Sequence, residues 1–113
     1  MDNVENDRYI SVFINEKGKE EYINGLDYNS PNVLRYSLSD VEFYNLIDLL
    51  FIQTVNERCK LLIGSGESEM VENENIEECS KIYKRLNIPV ENSVMYEALK
   101  MAEKYGLGMG LDL

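Results

Sequence analysis

The apolar pattern changes its period about a third of the way along the sequence, and this change most constrains the fold. Tyr9 to Ile14 is rich in β-branched and aromatic residues, which is typical of a β-strand. Asn15 to Lys19 then has turn-forming composition, so Glu21 to Ile23 is expected to return as a partner strand. Val33 to Tyr36 is a third short candidate. We therefore expect a small antiparallel β element within residues 9–37.

From residue 38 onwards the pattern becomes helical. Ser39 followed by Glu42 is a capping box, which predicts that a helix begins there. The buried face of that helix follows i, i+3, i+4, i+7 spacing and is formed by Phe43, Leu46, Ile47 and Leu50. The stretch 40–63 is long for one globular helix. Crowded apolar residues indicate a kink near Asp48 to Leu50, although no Gly or Pro fixes its place.

Two further helical stretches follow. Ile76, Cys79, Tyr83 and Leu86 share one helical face, and a last helix begins after Asn92 or Ser93 and stops at Gly106. The expected fold class is α+β, a mostly helical single domain of three to four helices with a small N-terminal antiparallel β element. That one domain covers 1–113 and is divided into a frayed segment 1–8, a β and loop segment 9–37, a helical segment 38–105 and a tail 106–113.

The absence of His excludes the common nucleophile–base pairs and imidazole metal sites. Two Cys cannot supply a four-cysteine zinc or iron–sulfur site, and their apolar surroundings favour free thiols and a cytoplasmic location. Glu67, Glu69 and Glu72 do not match the spacing of a calcium-binding loop. We therefore expect no enzymatic activity, no catalytic residue, no cofactor and no metal.

Two glycine-containing motifs are better explained as local structure than as ligand loops. Gly64-Ser65-Gly66 lacks the Lys of a phosphate-binding loop and is followed by Glu residues that repel anions. Gly106 to Gly110 resembles part of a dinucleotide fingerprint, but it follows a helix, whereas that fingerprint must open one. The first motif is expected to end a helix. The second is expected to belong to a terminal tail that either packs its apolar residues against the core or is mobile.

The most unusual local feature is a run of acidic residues. Residues 61–80 contain no Lys or Arg, and they carry six carboxylates of a chain whose net charge is −10: Glu67, Glu69, Glu72, Glu74, Glu77 and Glu78. Such a run either improves solubility or binds a cationic partner. The net charge opposes direct binding to nucleic acid. Tyr28, Tyr36 and Tyr44 are further contact candidates, with partial burial at the edge of the core as the alternative.

Residues 38–86 resemble small acidic immunity proteins of bacterial toxin–immunity systems, including those of contact-dependent growth inhibition. The resemblance is carried by the spacing of Phe43 to Ile47, Ile52-x-x-Val55-Asn56 and Cys59-x-x-Leu62-Ile63, followed by the run Glu67 to Glu74.

This resemblance implies a cytoplasmic protein that binds a cognate toxin domain, a basic nuclease, with 1:1 stoichiometry and occludes its active site. The six glutamates are the expected contact residues, because a nuclease cleft is cationic. The alternative is an acidic adaptor, or a mimic of nucleic acid, that regulates another basic protein. No signal peptide is expected from the polar start of the chain, and no apolar run approaches the ~20 residues that span a membrane.

Overall fold

The computed structural model describes residues 8–25 and 30–113, and within these ranges the chain forms five helices and four strands. In chain order these are β1 (Tyr9–Phe13), α1 (Glu16–Ile23), β2 (Val33–Ser37), α2 (Asp40–Asp48), α3 (Phe51–Cys59), β3 (Ser68–Val71), α4 (Asn73–Arg85), α5 (Val94–Tyr105) and β4 (Met109–Asp112). The protein is therefore α+β, but the prediction of three to four helices with an N-terminal β element alone is wrong.

The strands form one antiparallel sheet in the order β2-β1-β4-β3. Ile10 in β1 lies opposite both Tyr36 in β2 and Leu111 in β4. Val71 in β3 lies opposite Met109 in β4. Strand β4 is thus a central strand, and it joins β3 to the pair formed by β1 and β2.

The two sides of the sheet are covered by different helices. Side chains alternate between the sides along each strand, so Ile10, Met109 and Leu111 share one side. That side is buried in a single apolar cluster with residues of α2, α3, α4 and α5. On the opposite side, Phe13 contacts the ring of Tyr22 in α1, with 5.3 Å between ring centroids.

Helix α1 replaces the turn and return strand that were predicted for residues 15–23. Asn15 caps it, because its side-chain oxygen accepts a hydrogen bond from the Gly18 amide at 2.8 Å. Gly18 has turn-forming character in the sequence, but here it lets the helix approach the backbone carbonyl of Asn32, where a Cβ atom would clash. A close tertiary approach therefore explains this glycine.

The predicted loop or frayed helix at 67–75 contains β3 and the start of α4, and the predicted tail at 106–113 contains β4. Gly108 has φ +89° and lies against the Val71 carbonyl, while the Tyr22 ring lies on Gly110. Both glycines are required by close packing. The expected tail thus contains a paired strand. Its apolar residues pack in the core, as one of the two alternatives for this segment expected, but its place in the sheet was not predicted.

Several local predictions are confirmed. Val33–Ser37 pairs antiparallel with Tyr9–Phe13, Ser39 accepts from the Glu42 amide at 3.1 Å, and Ser93 caps α5. The predicted frayed segment 1–8 lies outside the described residues except for Arg8, which is buried. The backbone of Arg8 is also fixed, since its carbonyl accepts a hydrogen bond from the Leu38 amide at 2.8 Å.

Candidate functional site

The predicted contact residues begin in and around β3. Glu67 is exposed just before the strand. Glu69 lies in the strand, and its Oε2 accepts a hydrogen bond from the Leu62 amide at 2.9 Å. Glu72 immediately precedes α4, and its Oε1 lies 2.9 Å from Nζ of Lys19 in α1. Two of these three carboxylates are therefore bonded to other parts of the fold.

The remaining three predicted residues lie in α4. Glu74 is exposed in its first turn, and Glu78 is half-buried. Glu77 forms an exposed ion pair with Lys81, with 3.0 Å between Oε1 and Nζ. The exposed side of this helix is therefore acidic at its N-terminal end and basic towards Lys84, as its macrodipole favours.

The six glutamates lie before β3, in β3, between β3 and α4, and in α4. Two of them pair with lysines, and a third accepts a hydrogen bond from a backbone amide. Their partners also explain their placement: Glu69 fixes the loop before β3, and Glu72 connects β3 to α1 across the fold. Glu67 and Glu74 are exposed, and within residues 8–25 and 30–113 neither side chain forms an ion pair or a hydrogen bond with another residue. They are therefore the members best suited to contact a partner.

A different surface exposes apolar side chains. At the junction of α2 and α3, Val41, Tyr44, Leu49 and Leu50 are each between 42% and 72% exposed. Leu50 has φ +68°, so the chain turns sharply and directs Phe51 and Ile52 into the core. The apolar run 49–52 is thus divided, with two residues outside and two inside.

Only one of the three tyrosines considered as contact residues is exposed in the described residues. Tyr44 is exposed on α2, whereas Tyr36 is half-buried against the core cluster. Burial raises the pKa of Tyr36, and the nearby carboxylate of Glu97 raises it further. Tyr28 lies outside the described residues. The exposed tyrosine, Tyr44, therefore lies at the same junction of α2 and α3 as the exposed aliphatic residues.

A groove of about 430 Å³ lies beside this corner, between α2 and the segment that connects α4 to α5. We call it the α2 groove, and it is lined by Ser39, Val41, Glu42, Asn45, Leu46, Asp48, Leu49, Tyr83, Ile88, Pro89, Glu91, Asn92 and Ser93. Three of these residues are acidic, and none of the described lining residues is Lys or Arg. The groove combines an apolar wall with a negative rim.

A hydrogen-bond network fixes the floor of the α2 groove. The carboxylate of Glu42 accepts three hydrogen bonds, from the Ser93 hydroxyl at 3.1 Å, the Val94 amide at 3.1 Å and the Met95 amide at 3.0 Å. The Tyr83 hydroxyl donates to the Pro89 carbonyl at 2.9 Å and lies 2.5 Å from Ser93 Oγ. These bonds connect the 88–93 segment and the start of α5 to α2.

No protein-family model matches this sequence, and no curated protein or solved structure is significantly similar to it. Inferences about function therefore rest on the residues and geometry of this chain.

A second cleft, of about 350 Å³, lies on the α1 side of the sheet. Its polar residues include Ser11, Glu21, Arg35 and Asp112. Asp112 Oδ1 accepts hydrogen bonds from two side chains, the Tyr22 hydroxyl at 3.1 Å and the Ser68 hydroxyl at 2.5 Å. This cleft contains charges of both signs, in contrast to the negative rim of the α2 groove.

Within residues 8–25 and 30–113, no helix is long and apolar enough to cross a bilayer. The same residues contain no group of three or more Cys, Asp or Glu side chains arranged to hold a metal ion.

Cys59 and Cys79 are free thiols on the neighbouring helices α3 and α4. Burial raises the pKa of both thiols, and more strongly for Cys79, which is 1% exposed. A hydrogen bond between the thiols lowers the pKa of Cys59 and raises that of Cys79. Because the thiolate is the reactive form, both cysteines are expected to react slowly with thiol reagents at neutral pH.

These raised pKa values lead to an expected pH dependence of stability. The thiols ionise near pH 9.0 in the unfolded chain, but only at higher pH in the folded protein. Above pH 9 the unfolded state therefore holds fewer protons, and the free energy of unfolding falls as pH rises, by up to about 1.4 kcal/mol per pH unit for Cys79. Urea titrations between pH 7 and 11 measure this slope.

Cys79→Ala provides the control for this expectation. It should lower stability at pH 7 through the cavity it leaves, yet flatten the decline above pH 9. The raised pKa values of Cys59, Tyr36 and Tyr83 leave a smaller decline in this variant. An alkaline slope that is identical in the two proteins would contradict the assignment to Cys79.

Proposed function

We propose that this protein binds and neutralises a basic protein, in the manner of a bacterial immunity protein that blocks a toxin nuclease domain in the cytoplasm. The observation that carries the proposal is the exposed apolar corner of α2 and α3 beside a groove with an acidic rim. Exposed apolar side chains bordered by polar residues are typical of protein-binding surfaces. The acidic residues beside this surface support a cationic partner.

The net charge of −10 supports the same class of partner. A nuclease holds its substrate with Lys and Arg side chains, so its active cleft attracts a protein that presents carboxylates. The exposed Glu67 and Glu74 contribute to this attraction at long range, whereas contact is made at the corner. Such steering raises the association rate and is weakened by salt.

The direct experiment is to co-express this protein with the product of the neighbouring reading frame, which this proposal expects to contain a basic nuclease domain, and to purify the complex. We expect a 1:1 complex by light scattering, loss of the domain's nuclease activity in the complex, and association that slows between 50 and 300 mM salt. Failure to form a complex at low salt contradicts the proposal. A complex in which nuclease activity is retained contradicts the inhibitory role and favours an acidic adaptor.

Charge variants for this test are restricted by the structure. Reversal of Glu69 or Glu72 removes bonds to Leu62 or Lys19 and therefore changes contacts within the protein as well as its surface charge. Glu67→Lys with Glu74→Lys changes the charge at exposed positions. We expect this double variant to slow association several-fold while the dissociation rate stays near that of the wild type.

A further inference from the structure

We propose that the α2 groove is the docking site for a cationic amphipathic helix of the partner. The apolar side of that helix would lie on Val41 and Leu49, and its Lys or Arg side chains would lie beside Asp48 and Glu91. This inference deepens the proposed function and rests on it for the partner's identity. It assigns the contact to a defined surface outside the glutamate run 67–78.

The apolar part of the argument comes from α2 itself. Val41, Asn45 and Asp48 follow the i, i+4, i+7 spacing of one helical face, Leu49 follows at i+8, and all four line the groove. Val41 and Leu49 are the exposed apolar side chains of this face. Ile88 and Pro89 supply apolar side chains on the opposite wall of the groove. A groove with one helical wall accommodates a second helix through i, i+3, i+4 side chains.

The electrostatic part of the argument comes from the C-terminal end of α2. That end carries the negative pole of the helix, and its last turn contains no basic residue. Asp48 instead adds a negative charge at this pole, and Glu91 faces the same groove. Like charges gathered here are unfavourable in the free protein. A Lys or Arg side chain of a ligand would relieve them, so the site favours a cation.

A second copy of this chain is a poorer occupant. A two-fold dimer places the same patch of each copy against its mate, so Asp48 and Glu91 would meet the same carboxylates. Each copy also carries a net charge of −10. Both effects oppose self-association at low salt, which is the condition under which a cationic helix binds best.

Two synthetic 18-residue peptides serve as probes. Both have Leu at helical i, i+3, i+4 spacing, and the other positions are Lys in one peptide and Glu in the other. We expect saturable binding of the Leu/Lys peptide, with amide chemical-shift changes concentrated at residues 41–49 and 88–93. The Leu/Glu peptide should bind at least tenfold more weakly. Shift changes centred on 67–78, equal binding of both peptides, or no saturable binding overturns the inference.

Matched variants separate the groove from the general charge of the protein. Asp48→Lys with Glu91→Lys should weaken binding of the Leu/Lys peptide at least tenfold. Glu57→Lys with Glu103→Lys makes the same change in net charge at exposed positions outside the groove and should weaken it about twofold or less. Equal effects of the two double variants would show that binding depends on net charge alone and would overturn the inference.

A second pair tests the apolar wall. Leu49→Lys should weaken peptide binding at least tenfold, whereas Leu62→Lys, at a residue that is 77% exposed outside the groove, should leave it within twofold. Thermal melts of each variant show whether the fold is retained. Detection of a wild-type dimer that Leu49→Lys dissociates would identify a second copy as the occupant and overturn the inference.

The peptide experiments and the co-expression experiment can fail separately. If the Leu/Lys peptide maps to the groove but the neighbouring domain forms no complex, the immunity function is wrong and the docking site stands. If the domain forms an inhibited complex whose affinity is unchanged by Asp48→Lys with Glu91→Lys, the immunity function stands and this docking site is wrong.

Discussion

Removal of Met109 to Leu113 is expected to unfold the protein. These five residues include β4, which pairs with β1 on one side and β3 on the other. Met109, Leu111 and Leu113 are each at most 4% exposed. Burial of three such side chains contributes roughly 5–9 kcal/mol, which is comparable to the whole stability of a small domain. Circular dichroism and proton–nitrogen NMR spectra of the shortened chain should show loss of cooperative melting and of amide dispersion.

A pair of point substitutions separates the loss of β4 from the effect of shortening the chain. Leu111→Ala is expected to lower the free energy of unfolding by about 2–5 kcal/mol, because the side chain leaves a cavity in the core. Leu62→Ala, at an exposed position, should stay within about 0.5 kcal/mol of the wild type. Cooperative melting of the shortened chain near the wild-type temperature would show that β4 is dispensable.

Local signals allowed part of this fold to be predicted from the sequence. The capping residue Ser39, the stop at Gly106 and the β-rich composition of Tyr9 to Ile14 each act within a few residues, and each is confirmed. Strand β4 depends instead on pairing with residues far away in the sequence. Its alternation of Met109 and Leu111 with intervening residues is a period-two signal that could have identified it.

The sequence also predicted the candidate site only in part, as the glutamates of residues 67–78 show. Its density of charge is visible in the sequence, but its intramolecular partners are not. Lys19 reaches Glu72 from 53 positions away, and Leu62 binds Glu69 only because a loop folds back. The α2 groove could not be predicted because its two walls are distant in the sequence: Ser93 reaches Glu42 from 51 positions away.

Arg8 was expected to belong to a frayed N-terminal segment, but in the structure it is buried. The Arg8 side chain is buried, with its guanidinium carbon 4.1 Å from the ring centroid of Phe43. Its Nη1 pairs with Oδ1 of Asp40 in the first turn of α2. Within the described residues, Arg8 Nε and Nη2 are buried without a hydrogen-bond partner. The Asp40 carboxylate is therefore the main compensation for a cation removed from water.

We expect Asp40→Ala to lower the free energy of unfolding by about 3–5 kcal/mol, because it leaves a buried cation uncompensated. Arg8→Met removes the charge and keeps an apolar side chain against Phe43, and the partly exposed Asp40 can then be solvated. In the Arg8→Met background, Asp40→Ala should therefore cost less than about 1 kcal/mol. Asp48→Ala, at an exposed position of the same helix, is the control. Urea denaturation of the wild type, the two single variants and the double variant measures the coupling, and an equal cost of Asp40→Ala in both backgrounds would show that Arg8 does not depend on this carboxylate.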